Sequence, residues 1–189
     1  MQCALCKDKK CQAGKDCTTI AADIKYEAEE LRSMKLSAHI ESKYYMKKTR
    51  LEELILYAKG MEYQRLGIAF CIGFGHEAAV INEILSKDFD MFSVCCKVCA
   101  IDKHSYNLDT MHGKGFEATC NPKGQSIILN NLKTDLNIIL GLCIGHDILF
   151  TEHSHAPVTT LAVKDRVLAH NPLGAIYSKY YLKNVFDIP

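Results

Sequence analysis

The sequence has almost no net charge, no long apolar run and no cysteine between residues 18 and 70. Lysine and arginine together number 23 and aspartate and glutamate 22, which gives a formal net charge of +1. This balance does not favour a nucleic-acid or a membrane surface as a partner. No apolar run reaches the roughly 18 residues that a membrane-spanning helix needs. We therefore expect neither a nucleic acid nor a membrane as the partner of this protein.

The beginning of the chain contains lysines but no apolar stretch after them, so it does not resemble a secretory signal. We therefore expect a cytoplasmic protein. Ten cysteines are many for such a chain, and disulfides do not explain them in a reducing compartment. Metal binding or thiol chemistry is the leading explanation.

Four of the cysteines lie within the first 17 residues. Cys3, Cys6, Cys11 and Cys17 follow the spacing C-x2-C-x4-C-x5-C. Thiolates are soft ligands that suit zinc or an iron–sulfur cluster, and the short gaps allow one loop to surround an ion. The sequence predicts a metal-binding module over residues 1–20. An RNA-binding knuckle is disfavoured because no aromatic residue lies between the cysteines to stack on a base.

The sequence pattern after this module predicts one α/β domain over residues 21–189, which begins with a helical segment over residues 21–63. Thr18 is expected to be the N-cap of the first helix. From residue 66 onward, apolar runs that end in glycine or cysteine alternate with helical segments, which is the pattern of βαβ units. We expect a three-layer sandwich with a mostly parallel, flavodoxin- or Rossmann-like sheet.

The other six cysteines are expected near the carboxyl ends of these strands, where open α/β sheets bind ligands. The stretch "FCIGFGHEAA" at 70–79 is echoed by "LCIGHDILF" at 142–150. In both, an apolar strand leads into Cys-Ile-Gly, and a histidine and a carboxylate follow. The residues predicted to form a second metal or iron–sulfur site, suited to a [4Fe–4S] cluster, are Cys71, Cys95, Cys96, Cys120 and Cys143.

Adjacent residues of a strand point to opposite faces, so Cys95 and Cys96 should not both face one site. Cys96 is the preferred inward residue and Cys95 the second choice. The candidate nucleophiles are Cys96, Cys120 and Cys143, of which Cys96 and Cys143 are preferred, with His146 as a base. Beyond them, the stretch "KDRVLAHNP" at 164–172 offers polar groups for an anionic substrate or for an internal ion pair.

Several motifs resemble a microbial family of uncharacterised, cysteine-rich metal-binding proteins, a domain of unknown function. They run in the same order along nearly the whole chain: the N-terminal cysteines, "IAFCIGFGHEA", "SVCCKV", "IDK", "CNPKGQS", "LGLCIGHDILF" and "APVTTLAVKDRVLAHNP". The resemblance implies metal binding and no particular reaction. The cysteines that match the family pattern are Cys3, Cys6, Cys11, Cys71, Cys95, Cys96, Cys120 and Cys143, whereas Cys17 and Cys99 have no place in it.

Three functions remain open at this point. The first is a metalloprotein with redox or sulfur-handling chemistry, and the second is a non-catalytic protein that stores or senses metal. The third is a cysteine hydrolase or transferase that uses Cys143 with His146 and Asp147. A protein redox partner, a small-molecule substrate and a homo-oligomer are all compatible with the sequence.

Overall fold

The computed structural model describes residues 1–111 and 113–188. Its centre is a four-stranded, all-parallel sheet in the order β2-β1-β3-β4. The strands are β1 (Arg65–Phe70), β2 (Asp90–Cys95), β3 (Leu136–Leu140) and β4 (Val158–Ala162). Helices flank this sheet, so the predicted α/β architecture is confirmed.

The two central strands are apolar because helices cover both faces of a parallel sheet. Every residue of β3 is buried, as are the four inner residues of β1. The helices are α1 (Ala28–Tyr44), α2 (Arg50–Gly60), α3 (Gly75–Leu85), α4 (Pro122–Asn131), α5 (His146–His153), α6 (Gly174–Tyr177) and α7 (Lys179–Asn184). None of the described helices is both long and apolar enough to cross a membrane.

The strand order determines where the crossover helices lie. The chain moves from β1 to β2 in one direction along the sheet, and from β2 to β3 to β4 in the other. Because parallel crossovers are right-handed, α3 lies on one face of the sheet and α4 and α5 on the other. The contacts between α4 and α5 agree with this placement. The direction reverses between β1 and β3, which is the topological switch point where such sheets bind ligands.

A buried glutamine ties α4 to the carboxyl ends of two strands. Gln125 is completely buried, and its Nε2 atom donates to the carbonyl oxygens of Phe70 at 3.2 Å and Val94 at 2.7 Å. Phe70 is the last residue of β1, and Val94 is the last but one of β2. The start of α4 is therefore fixed directly over the strand ends.

The first helix begins nine residues later than the sequence predicts, since its N-cap is Glu27 and not Thr18. The Thr18 side chain donates to the Asp16 carboxylate instead of capping a helix. α1 instead begins at Ala28, where the side chains of Glu27 and Glu30 form a reciprocal capping box. The division into a module of residues 1–20 and a domain of residues 21–189 stays a prediction.

The last part of the described chain, beyond β4, is helical. It forms the short helices α6 and α7, which are separate because Ser178 between them has an extended backbone (ψ 117°). Earlier in the chain, Ser154 directly follows α5 and accepts a hydrogen bond from Asn137 Nδ2 of β3 at 2.8 Å, which ties the end of α5 to the sheet.

We predict that Gly67→Ala destabilises the fold by about 1–3 kcal/mol, the usual cost of overpacking a core. Gly67 lies in the middle of β1, and a Cβ atom there would overlap Asn137 Oδ1 and press on Leu129. Urea unfolding followed by circular dichroism measures the change. The control is Gly75→Ala in the first turn of α3, where a Cβ atom meets nothing within 4 Å. Equal destabilisation by both variants would contradict the packing argument.

Candidate functional site

Four cysteines lie at the carboxyl edge of the sheet, and we call them the edge cluster: Cys71, Cys96, Cys120 and Cys143. Cys71 directly follows β1 and Cys96 directly follows β2. Cys143 is the third residue after β3, and Cys120 precedes Asn121, the N-cap of α4. Cys71 and Cys143 therefore flank the switch point between β1 and β3.

The thiols of Cys96 and Cys120 are in contact, with 3.8 Å between their sulfur atoms. The backbone causes this proximity, because the Asn121 N–H donates to the Cys96 carbonyl at 2.8 Å and brings the start of α4 to the end of β2. Cys96 is only 2% exposed, whereas Cys120 is partly accessible to solvent. The pair thus joins a buried thiol to a thiol that a substrate can reach.

The two Cys-Ile-Gly segments form similar turns. The Cys71 carbonyl accepts the Phe74 N–H at 2.7 Å, and the Cys143 carbonyl accepts the His146 N–H at 2.9 Å. In the first turn the Ile72 N–H also donates to Cys96 Sγ at 3.3 Å. The sequence echo therefore corresponds to a shared local geometry, which turns the chain sharply after each strand and leaves the cysteine at the edge.

Two cations from one loop contact two thiols of the edge cluster. Lys164 Nζ lies 2.7 Å from Cys71 Sγ, and a guanidinium nitrogen of Arg166 lies 3.2 Å from Cys143 Sγ. We call residues 164–171 the cation loop. It leaves the carboxyl end of β4, so the parallel arrangement delivers it to the same edge as the cysteines.

The residue between the two cations fixes the shape of the cation loop. Asp165 Oδ1 accepts the backbone N–H groups of Val167 at 2.9 Å and Leu168 at 2.8 Å. The Asp165 N–H in turn donates to His170 Nδ1 at 3.2 Å. The His170 ring packs on Phe74 with 4.4 Å between ring centroids. Asp165 is therefore a structural residue whose neighbours on either side face the thiols.

The positive charges and the shared hydrogen bond change the acidity of the thiols. The hydrogen bond with Cys96, together with the charges of Lys97 and His146, lowers the pKa of Cys120 to about 5. The same hydrogen bond and burial raise the pKa of Cys96. Because Lys97 and His146 act on Cys120, the shared proton resides on Cys96 and the negative charge on Cys120.

Cys71 is a second site of negative charge. Burial acts to raise the pKa of Cys71, but the hydrogen bonds from Lys164 and from the Gly73 backbone outweigh it, so the pKa lies below its ordinary value. The hydrogen bond with Cys143, together with the charges of Cys143, Cys71 and Cys120, raises the pKa of Arg166. The edge cluster and its cations thus form one electrostatic group.

These cations are not engaged by carboxylates. The salt bridges among the described residues involve other side chains, and none includes Lys97, Lys164 or Arg166. Lys97 Nζ instead donates to the Ala118 carbonyl at 2.6 Å. The thiols are therefore the negative partners that the described structure offers to this group.

Among the described residues, the thiols of Cys95 and Cys99 make no hydrogen bond with the edge cluster. Cys95 packs against the hydrophobic core, as expected for the residue that faces the other side of the strand from Cys96. Cys99 is exposed and adopts a left-handed backbone conformation (φ 70°).

The four N-terminal cysteines surround a common pocket of about 560 Å³. Tight turns with left-handed backbone at Lys9 and Gly14 bring them together. Their thiols make local contacts: Cys6 with the Asp8 carboxylate at 3.3 Å, Cys11 with the Lys9 carbonyl at 3.6 Å and Cys17 with the Lys15 carbonyl at 3.7 Å. Within the described part of the chain, no group of three or more His, Cys, Asp or Glu side chains is arranged to hold a metal ion.

Another pocket, of about 500 Å³, lies at the amino ends of β3 and β4, beside α1 and α2. Arg50 and Glu53 lie in its lining, and Arg50 donates to Thr159 Oγ1 at 3.0 Å. No cysteine lines it, and it is at the end of the sheet opposite the edge cluster. It therefore takes no part in the thiol site.

Sequence reasoning identified the cysteines but not the partners of the cation loop. The sequence predicts Lys164 and Arg166 as polar groups for a substrate or an ion pair, whereas in the structure they contact cysteines 93 and 23 residues away. The available signal was a pair of cations spaced by one aspartate directly after the last strand. Such a segment is expected at the same edge as the glycine-terminated strands.

Comparisons with known proteins place the chain among its relatives. Residues 7–161 match a family model described as "Protein of unknown function (DUF1847)". The chain is 55% identical over 192 residues to "Uncharacterized protein MJ0455" of Methanocaldococcus jannaschii, and the alignment covers 99% of each chain. No solved structure matches the chain. The matched family region contains the whole edge cluster and ends before the cation loop.

We predict that Cys120 becomes reactive at unusually low pH. Alkylation by iodoacetamide needs the thiolate, so its rate should rise through a midpoint near pH 5 and level off above it, whereas an ordinary cysteine reacts around pH 8.5. Peptide mapping by mass spectrometry measures the rate at Cys120 alone. Cys96→Ala removes the shared hydrogen bond and should raise the midpoint by at least about one pH unit.

The matched control is Cys95→Ala, which removes the neighbouring thiol on the other face of the strand. It should leave the midpoint of Cys120 in place. A wild-type midpoint near pH 8.5, or equal shifts in the two variants, would contradict the electrostatic description of the site.

Proposed function

The chain belongs to the DUF1847 family of proteins of unknown function, and we propose that it performs thiol-based redox or sulfur-handling chemistry at the edge cluster, with a metal-binding module at its N-terminus. The observation that carries the proposal is the 3.8 Å contact between the buried Cys96 and the accessible Cys120. Nearby cations have no carboxylate partner within the part of the chain that the structure describes. A nucleophilic thiol next to a protected second thiol is the arrangement used in dithiol exchange.

In the proposed reaction, the Cys120 thiolate attacks one sulfur of a substrate that contains an S–S bond. A Cys120–substrate disulfide forms, the substrate S–S bond breaks, and the other half leaves as a thiolate. His146, whose charge acts on Cys120, is the nearby group that can protonate the leaving sulfur.

The second step uses Cys96. Its thiol attacks Cys120 Sγ, which forms the Cys96–Cys120 disulfide and breaks the bond between Cys120 and the substrate. The proton of Cys96 passes to the departing sulfur, so the remaining half of the substrate leaves as a thiol. The protein gives up two electrons and the substrate gains them, and an external thiol reductant restores the dithiol. Closing from 3.8 Å to the roughly 2.05 Å of an S–S bond needs a small movement of the two side chains.

The other two thiols have a supporting role in this proposal. Cys71 and Cys143 are each paired with a cation of the loop, which positions Lys164 and Arg166 over the edge. The [4Fe–4S] cluster expected at these cysteines stays a prediction. Iron bound with acid-labile sulfide at the edge cluster would favour the cluster over a free dithiol.

The N-terminal cysteines support the metal-binding part of the proposal through their donor chemistry. Four thiolates match the ligand set of a structural zinc site, and Cys3, Cys6, Cys11 and Cys17 line one pocket. Zinc bound there would order an otherwise exposed loop and would not itself change oxidation state. The chain's own contribution is the pair of tight turns that keeps the four thiols around the same space.

We predict that mild oxidation with diamide forms an intramolecular Cys96–Cys120 disulfide. Non-reducing peptide mapping identifies the crosslinked peptides, and thiol titration counts the loss of two thiols. Cys96→Ser and Cys120→Ser should each abolish this crosslink, because a disulfide needs both sulfurs. Cys99→Ser, at an exposed position outside the cluster, should not affect it. A dominant disulfide between other cysteines would contradict the assignment of the reacting pair.

We also predict that protein prepared without oxygen carries one tightly bound metal ion, held by the N-terminal module. Elemental analysis and visible spectroscopy distinguish colourless zinc protein from brown protein that contains iron and labile sulfide. Cys6→Ser with Cys11→Ser should remove the metal, because two ligands are lost, while Cys120→Ser should retain it. Metal that is lost with Cys120→Ser instead would place it at the edge cluster and contradict the dithiol mechanism.

A further inference from the structure

We infer that the substrate of the edge cluster is an anionic compound that contains a sulfur–sulfur bond, such as a polythionate or an anionic disulfide. The inference rests on the proposed function, since the Cys96–Cys120 pair acts on S–S bonds. What it adds is the charge of the substrate, and this comes from the side chains that surround the pair.

Three permanent cations converge on the edge cluster, and none has a carboxylate partner among the described residues. Lys164 contacts Cys71, Arg166 contacts Cys143, and Lys97 directly follows Cys96. Elsewhere on the chain, cations such as Arg32 and Lys103 pair with glutamates in the usual way. Three cations without a carboxylate partner, gathered at one edge of the sheet, give the site an affinity for negative charge.

Arg166 is the cation best placed to meet a substrate. Its side chain is exposed, and within the described structure it makes one hydrogen bond, to Cys143 Sγ. A guanidinium group has five N–H donors, so further donors remain for an anionic group such as a sulfonate or carboxylate. The Asp165 turn holds Arg166 and Lys164 in the same short loop, which gives the cations a fixed position relative to the thiols.

The reaction itself requires such cations. When Cys120 attacks an S–S bond, negative charge moves from Cys120 to the departing sulfur. If the substrate also has its own anionic groups, the approach of a negatively charged molecule to a thiolate is repulsive in the absence of positive charge. Lys97, Lys164 and Arg166 offset that repulsion in the encounter and stabilise the leaving thiolate.

The test compares reagents of different charge that all transfer sulfur to Cys120. The probes are tetrathionate and oxidised glutathione (anionic), 2-hydroxyethyl disulfide (neutral) and cystamine (cationic), each reacted with the full-length reduced protein at pH 7. Mass spectrometry follows the modification of Cys120, and each rate is divided by the rate for the same chain unfolded in urea. This normalisation removes the intrinsic reactivity of the reagents.

We expect the normalised rates of the anionic reagents to exceed that of cystamine by at least about tenfold at low ionic strength, and the difference to shrink as salt is added. Arg166→Gln should reduce the anion-to-cation ratio several-fold. Lys87→Gln, at an exposed position after α3 at the opposite end of the sheet, should leave the ratio unchanged. A higher normalised rate for tetrathionate than for oxidised glutathione would indicate a small inorganic substrate. A higher normalised rate for oxidised glutathione would indicate a disulfide of a thiol peptide.

The outcomes separate this inference from the proposed function. If the normalised rate of cystamine equals the normalised rates of the anionic reagents, and all of these rates are higher for the folded protein than for the unfolded chain, the substrate inference is wrong. The dithiol function then stands. If no reagent modifies Cys120 faster in the folded than in the unfolded protein, the proposed function is wrong as well. The salt dependence of the wild type decides the question even if Arg166→Gln fails to fold.

Discussion

The right-handed crossover is the constraint on which the arrangement of this molecule depends. Because the chain leaves β1 in one direction and β2 in the other, α3 and α4 are forced onto opposite faces. The edge between β1 and β3 is left uncovered by crossover helices, and Cys71 and Cys143 follow these two strands. The start of α4 brings Cys120 to Cys96 through a backbone hydrogen bond. Cysteines from distant parts of the chain thus converge at one edge of the sheet.

Negative charge at such an edge needs positive charge nearby, because a thiolate loses hydration when it is partly buried. Lys97, after β2, supplies part of that charge, and Lys164 and Arg166 in the loop after β4 supply the rest. A single lysine next to one thiol would stabilise one thiolate. Lys97, Lys164 and Arg166 act on several thiols together, so that the protonation of one cysteine depends on that of its neighbours. The edge cluster is better regarded as one polyprotic group than as four separate cysteines.

The fold was predictable because its signals are local: short apolar runs, glycine-containing strand ends and helical segments between them. The position of Cys71 and Cys143 followed from the same pattern. The beginning of α1 was not predictable from helical periodicity, since Thr18 bonds to Asp16 instead of capping a helix. The pairing of Lys164 with Cys71 also lay beyond the sequence, because it depends on strand order and on the shape of a loop. The chemical roles of these residues stay predictions.

The cation loop has a mechanical consequence as well as an electrostatic one. It begins at β4, an edge strand with one neighbour, and its side chains contact the residues that follow β1 and β3. Contacts between cations and sulfur therefore connect the carboxyl ends of β1, β3 and β4, beyond the last backbone hydrogen bonds between these strands. A thiol that loses its negative charge holds its cation less strongly, which would weaken these contacts. The chemical state of the sulfur atoms and the rigidity of the sheet edge therefore vary together.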